Sequence, residues 1–428
     1  MTYIPRHLVK SAADALRTSR VLNIVGPRQS GKTTLVREMI PAAQFIDLDD
    51  GSLLASLGLD PFGILSELAV QATRQGLPII IDEVQRLPQI TLAIKRIVDR
   101  DSRPGQFVLT GSSDIFTAPA ALDSLAGRIS TLILRPLSAA EIRHKGPFRL
   151  LDSVSDEPRT AAVNFPHSES HGRADAIDLM VRGGFPEIRP LMDRDRMARY
   201  ESYVASIVER DVALISDIRR PDALRRLINQ LAYRTSEELN IANLCGVLGT
   251  RKETVARYLD VLSRLGMIQR LGAWTAAAGT RREIRSPKLH FMDTGIATAL
   301  RGEDSHGFDL GSDSSALGHV LETFVYVEIE KSLPFLRRRW ELSHWRMAPH
   351  EIDIIAQAPD RLLALFEVKA SSSVNAADFR HLNWFFQEGP GKSFKGHGFV
   401  IYFGDQTIPF GPRMTALPLS AFWSYAKE

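Results

Sequence analysis

The stretch VLNIVGPRQSGKTTLVREMI, residues 21–40, constrains this chain more than any other. An apolar run from Val21 to Val25 gives way to a turn containing Gly26, Pro27 and Gly31, and the turn runs into an amphipathic segment. That order reads as strand, loop, helix. The loop matches G-x-x-x-x-G-K-[ST] at Gly26, Gly31, Lys32 and Thr33. Glycines there let backbone N–H groups turn inward around phosphate oxygens at a helix N-terminus, the lysine reaches the outer phosphates, and the hydroxyl ligates magnesium. Gly26, Pro27, Arg28, Gln29, Ser30, Gly31, Lys32, Thr33 and Thr34 are therefore expected to bind ATP, with Mg2+ on Thr33. The same order commits the front of the chain to an α/β fold with a parallel sheet.

Further strands should deliver the rest of such a site. In LPIIIDEVQRLP, Ile79 to Ile81 read as a strand buried on both faces, with Asp82 and Glu83 at its C-terminal end. Asp82 is expected to hold magnesium and Glu83 to polarise the attacking water, which favours hydrolysis over simple nucleotide holding. The structural alternative is that both acids cap the following helix. In QFVLTGSSDIF, Thr110 is the first choice and Ser112 the second for a hydroxyl lying between the other two strand ends, where it can sense the γ-phosphate. Arg128, in SLAGRIS, suits either an arginine finger or a structural ion pair. A finger supplied in trans requires a homo-oligomer, as a ring or dimer.

With 428 residues the chain exceeds one core, and 44% hydrophobic with 24% charged residues leaves no need for wholesale disorder. The formal charge of +3 is unevenly placed: Arg219 to Lys288 holds 14 Lys or Arg against 6 Asp or Glu. That segment is the candidate for a polyanion. Cys245 is the only cysteine, so neither an intrachain disulfide nor a cysteine metal site is open to the chain. The first residues have no apolar signal core and no run approaches a membrane helix, so a soluble, cytoplasmic chain is expected.

From Pro221 the pattern turns helical, and NIANLCGVLGTRKETVARYLDVLSRLGMIQRL reads as a short helix, a turn at Gly249 and a longer helix. Thr250 and Glu253 form an S/T-x-x-E capping box that predicts a helix start at Thr250. Arg251, Lys252, Thr254 and Arg257 then fall on its first turns, where a helix-turn-helix meets DNA. Arg281, Arg282, Arg285 and Lys288 could form a basic wing against backbone phosphates. Packing or assembly is the alternative use of such a module.

In EIDIIAQAPDRLLALFEVKA, residues 351–370, two apolar strands flank a turn at Pro359 and Asp360. Strand alternation puts Leu363, Leu365, Glu367 and Lys369 on one face, and Asp353 arrives from the preceding strand. Burying such a trio is costly unless it is paired or binds a cation. An Asp followed, a hairpin later, by E-x-K is the pattern of restriction-endonuclease-like nucleases. Asp353 and Glu367 would hold magnesium, Lys369 would orient water, and Glu322 would complete the set, with Glu328 as alternate. A satisfied internal salt bridge, or a fold kept for binding alone, explains the same residues.

GPRQSGKTTL, IIIDEVQRLP, VLTGSSDIF, LAGRI and RPLSAAEI, followed by VRGGFPEI, SPKLHFMDTGIATAL and ALGHVLETFVYVEI, resemble the bacterial and archaeal AAA-type ATPases that carry an uncharacterised nuclease-like C-terminal domain. The resemblance implies an ATPase core at 1–145, a helical lid or connector at 177–218, a winged helix at 219–290 and a restriction-endonuclease-like domain at 291–428. Residues 146–176, rich in Ser, Pro, His and charge, read as a flexible insertion. The expected function is ATP hydrolysis coupled to DNA binding, remodelling or processing. A regulatory ATP switch, or an ATP-gated DNA-binding scaffold with an inactive nuclease fold, is the alternative.

Overall fold

The computed structural model describes residues 3–111, 125–158, 172–211, 221–276, 286–308 and 314–424. They divide into two compact units, one of Pro5–Leu137 with Arg264–Gly266 and the other mainly of Ser138–Ser263 and Met267–Glu428.

In the first unit, β1 (Val21–Val25), β2 (Gln44–Asp47), β3 (Ile79–Asp82), β4 (Phe107–Gly111) and β5 (Ile129–Ile133) form one parallel sheet in the order β2-β3-β4-β1-β5. The helices are α1 (Leu8–Thr18), α2 (Lys32–Met39), α3 (Gly51–Leu59), α4 (Pro61–Gln75) and α5 (Ile90–Arg100). Strands β1, β3 and β4 are buried along their whole length, as runs such as Ile79–Ile81 require. The amphipathic α5 adds Ile90, Ile94 and Val98 to that core. Because β4 lies between β3 and β1, the C-terminal ends of all three converge beside the phosphate loop.

The second unit begins with α6 (Ala139–Ile142), α7 (Leu150–Asp156), α8 (Arg173–Arg182) and α9 (Asp193–Ser206). The expectation of a flexible insertion at 146–176 fails for its described part. Leu150, Leu151 and Val154 of α7 are buried in the same core as the C-terminal sheet, and Asp152 Oδ1 accepts from Arg337 N at 2.9 Å. Residues 159–171 lie outside the described residues. The connector, winged helix and nuclease-like domain expected at 177–218, 219–290 and 291–428 fall, apart from Arg264–Gly266, within this second unit.

Next come α10 (Pro221–Tyr233), α11 (Ile241–Leu248) and α12 (Lys252–Arg264), then the antiparallel pair β6 (Ile268–Leu271) and β7 (Lys288–Phe291). Helix α12 begins at Lys252, not Thr250: Thr250 N still closes α11 on Cys245 O at 3.2 Å, and the first carbonyl of α12 is that of Arg251. The β6–β7 pair is no free wing. Trp274 N donates to His344 O at 2.7 Å and His344 N to Gly272 O at 3.0 Å, which ties the pair's flank to the strand Glu341–Met347.

After α13 (Thr294–Leu300) and α14 (Ser314–Ser332), a six-stranded sheet runs β12-β13-β11-β10-β9-β8. Its strands are β8 (Glu341–Met347), β9 (His350–Ala358), β10 (Leu362–Val368), β11 (Lys395–Tyr402), β12 (Ile408–Pro409) and β13 (Met414–Pro418). The β9–β10 hairpin turns through Asp360 and Arg361, both at positive φ (66° and 57°). Ala364 and Phe366 face the core containing α14, while Leu363 and Leu365 face a second core with Phe385 of α15 (Arg380–Gln387), so the alternation expected for β10 holds. Helix α16 (Ala421–Ser424) closes the described chain.

Two motifs, RGGF and MDTG, meet in this unit. Asp293 accepts from Gly184 N (2.8 Å), Gly295 N (2.9 Å) and Tyr200 Oη (3.4 Å). A Cβ on Gly183, at φ +64°, would lie 2.1 Å from Asp293 Oδ1, so only glycine fits there.

His397 of β11 is 1% exposed and shares a 2.8 Å hydrogen bond between Nε2 and Thr415 Oγ1. Burial pushes its pKa down to about 4. A histidine depressed in this way favours the folded state above its unfolded pKa of about 6.5, and that contribution is lost as pH falls through the folded value. The unit should lose about 2 kcal/mol between pH 7.5 and pH 5 from this group. Denaturant titrations at both pH values should show that increment in the wild type and not in His397→Gln.

Candidate functional site

The phosphate loop is held from below. Arg6 donates to the carbonyl oxygens of Ser30 (2.8 Å) and Arg135, a support that the sequence reading missed. A Cβ on Gly26 would sit 2.1 Å from Leu134 O, so the loop's first glycine is required by close approach to β5's end. Gly31, at φ 94°, starts α2. Lys32 is buried and donates to the carbonyls of Gly26 (3.0 Å) and Pro27 (2.9 Å), which lays its ammonium across the loop. Ser30 Oγ is buried without a hydrogen-bond partner among the described residues.

Asp82, 2% exposed, accepts from Thr110 Oγ1 and from Glu83 N at 3.1 Å. Thr110 thus meets Asp82 from the middle strand, while Ser112 lies outside the described residues. Glu83 takes a left-handed conformation (φ 54°) and accepts from Gln85 Nε2. Burial raises its pKa, and Lys32 acts in the opposite sense. Neither acid caps a helix through its side chain. The buried ammonium, unpartnered Ser30 hydroxyl and adjacent Asp82 fit a magnesium-bound triphosphate.

Arg128 lies away from this constellation. It precedes β5, whose first residue pairs with Val21 at the start of β1, so it stands at the sheet edge opposite the phosphate loop. Its guanidinium binds both oxygens of Asp99 and the carbonyl of Ala126 (2.9 Å). That is the ion-pair alternative.

In the second unit, Glu322 of α14, Glu351 and Asp353 of β9, and Glu367 of β10 come together with Lys369. Asp353 Oδ2 accepts from Val368 N at 2.9 Å, and Lys369 Nζ pairs with Glu367 Oε1 at 2.7 Å. Glu328 is elsewhere, accepting from Ala139 N at 2.8 Å and pairing with Lys331. The expectation for Lys288 is overturned. It is 3% exposed, and its ammonium lies 2.7 Å from Glu322 Oε1, 3.0 Å from Glu351 Oε1 and 3.4 Å from Asp353 Oδ1.

Burial pushes Glu322 and Glu367 each up to about 8, with Asp353 adding to both. Burial opposes the charge on both lysines, yet the carboxylates beside them raise their pKa values. Four carboxyl groups share two ammonium groups here. The set does not fit a divalent metal as it stands, because an ammonium already occupies the space between Glu322, Glu351 and Asp353. Among the described residues, no group of three or more His, Cys, Asp or Glu side chains is placed to hold a metal ion. The expected magnesium ligands Asp353 and Glu367 thus already have lysine partners in Lys288 and Lys369.

Beside this centre, His350 stacks on Trp384 (3.9 Å between centroids), and its Nδ1 lies 3.2 Å from Nδ1 of His381. Trp345 is buried against Trp384 and Phe385. Arg251, Lys252 and Arg257 are exposed on the start of α12 with no ion pair among the described residues, and Thr254 is half-buried. Arg281, Arg282 and Arg285 lie outside the described residues.

Residues 18–143 match the family described as AAA domain, and residues 173–307 and 317–422 match two families each described as a domain of unknown function, DUF8612 and DUF4143. Two proteins, Rv2008c of Mycobacterium tuberculosis and Mb2031c of Mycobacterium bovis, are each 30% identical over 364 residues, covering 84% of this chain and 72% of theirs. The chain belongs to their family. Its phosphate loop lies within the residues that match the AAA domain. Solved structures that resemble it include a signal transduction ATPase of the STAND class, PH0952 from Pyrococcus horikoshii (TM-score 0.29, 13% identity, 76% of this chain), of whose length the chain spans 48%. Cdc6p from Pyrobaculum aerophilum gives a TM-score of 0.24 at 13% identity, over 70% of this chain and 96% of its own. Among the described residues, no single helix is long and apolar enough to cross a membrane.

Proposed function

We propose that the chain hydrolyses ATP at the phosphate loop and couples turnover to DNA bound by its second unit. The observation that carries the hydrolytic half is the placement of Asp82, Thr110, Glu83 and Lys32 at the converging ends of β1, β3 and β4. Backbone groups from Gly26 to Thr34 would hold the phosphates and Lys32 the outer ones, with Thr33 and Asp82 holding magnesium. Bound magnesium supplies neutralising charge at the phosphates. Thr110 fixes the Asp82 carboxylate. Glu83, raised by burial, positions the attacking water and accepts its proton at the carboxylate.

The DNA-binding half rests on the exposed cations Arg251, Lys252 and Arg257, without an ion pair among the described residues, at the start of the second helix of a helix-turn-helix pattern. No identifiable base-reading set accompanies them, so backbone contact is the reading. Arg128, engaged by Asp99, gives no reason to invoke a neighbour's site.

Duplex DNA affinity measured over a salt series tests this. Replacing all three cations by alanine should weaken binding alike for different sequences and reduce the slope of log K against log salt by roughly 2–3. An unchanged slope would remove α12 from the interface.

A further inference from the structure

We propose that Lys288 is the built-in cation of the acid centre and excludes a divalent metal from it, so that the second unit keeps a nuclease-like arrangement without cutting phosphodiesters. The inference concerns the second unit alone and does not depend on the ATPase reading. Three carboxylates, from α14 and from two positions of β9, converge on one ammonium that is almost wholly buried. Each of these oxygens is one that a metal would need.

The lysine is pinned as well as paired. Its residue faces Leu271 across the β6–β7 ladder and bridges to Glu238 on the other side, and the backbone around it is held by Leu239 N on Pro287 O (2.8 Å) and Leu289 N on Glu237 O (3.0 Å). Swinging the ammonium aside would leave three carboxylates facing one another. Both oxygens of Asp353 already have a partner: Oδ1 faces Lys288 at 3.4 Å and Oδ2 accepts from Val368 N at 2.9 Å. Glu367, the other expected ligand, gives one oxygen to Lys369 and keeps Oε2 buried without a partner. A magnesium site demands near-octahedral oxygen ligation at about 2.1 Å, whereas an ammonium accepts the 2.7–3.4 Å spread seen here.

The test is Mn2+ binding to the nucleotide-free full-length chain, with free metal followed by electron paramagnetic resonance. Asp353→Asn should leave the wild-type stoichiometry unchanged. Lys288→Met should gain one Mn2+ per chain, lost again when Asp353→Asn is added, and Mn2+ should raise the unfolding temperature of Lys288→Met alone. A wild-type Mn2+ site that Asp353→Asn abolishes would overturn the proposal, as would a folded Lys288→Met that gains no site. Should Lys288→Met not fold, the comparison of wild type with Asp353→Asn still decides the matter.

Discussion

Replacing Lys32 with alanine should lower ATP turnover by at least about 10²-fold, the scale on which removing one preorganised donor from a charge-stabilising site acts. The side chain is buried and already lies along the loop on the Gly26 and Pro27 carbonyls, so the site spends no ordering entropy on it when phosphate arrives. Glu83→Gln should match that loss in turnover and differ in binding. It keeps the shape and the contact with Gln85 but cannot take a proton, so a fluorescent ATP analogue should bind it nearly as tightly as the wild type. Lys32→Ala should lose affinity as well. Equal turnover in wild type and Glu83→Gln would show that Glu83 does not act on the water.

Lys288→Met should destabilise the second unit by about 3–5 kcal/mol, the range for breaking a buried ion pair by removing one partner. The penalty arises because Glu322, Asp353 and Glu351 lose their shared counter-ion while Glu322 and Asp353 stay only 13% exposed. Adding Glu322→Gln should recover part of that loss, since one fewer carboxylate is left unpaired. Denaturant unfolding of the single and double variants measures both. Additive losses would mean that Lys288 and Glu322 do not act together.

The candidate nucleotide site was legible because its motif is written in contiguous sequence. Gly26 to Thr33 carry loop, lysine and hydroxyl in one stretch, and Asp82 with Glu83 close an unmistakable buried strand. The β9–β10 hairpin was legible for the same reason, since alternation alone sets Glu367 beside Lys369. Lys288 was not. In KLHF, alternation assigns Lys288 and His290 to a polar face, and a polar face is ordinarily a wet one. Here both faces of β7 are buried, with His290 stacked on Tyr326 of α14 at 4.2 Å and bonded to Thr323. Only tertiary packing reveals that. Arg6 escaped notice because its partners are main-chain carbonyls far along the chain, which leave no mark on side-chain pattern. The capping box at Thr250 misled because Thr250 N was already committed to ending α11.

The central claim, that nucleotide turnover answers to DNA, is tested most directly by steady-state ATP turnover with and without duplex DNA at fixed low salt. The wild type should turn over several-fold faster with DNA, and the triple alanine variant of Arg251, Lys252 and Arg257 should keep the DNA-free rate without the stimulation. Turnover indifferent to duplex, forked and single-stranded DNA in the wild type would contradict the coupling and leave ATP as a switch rather than a source of work on DNA.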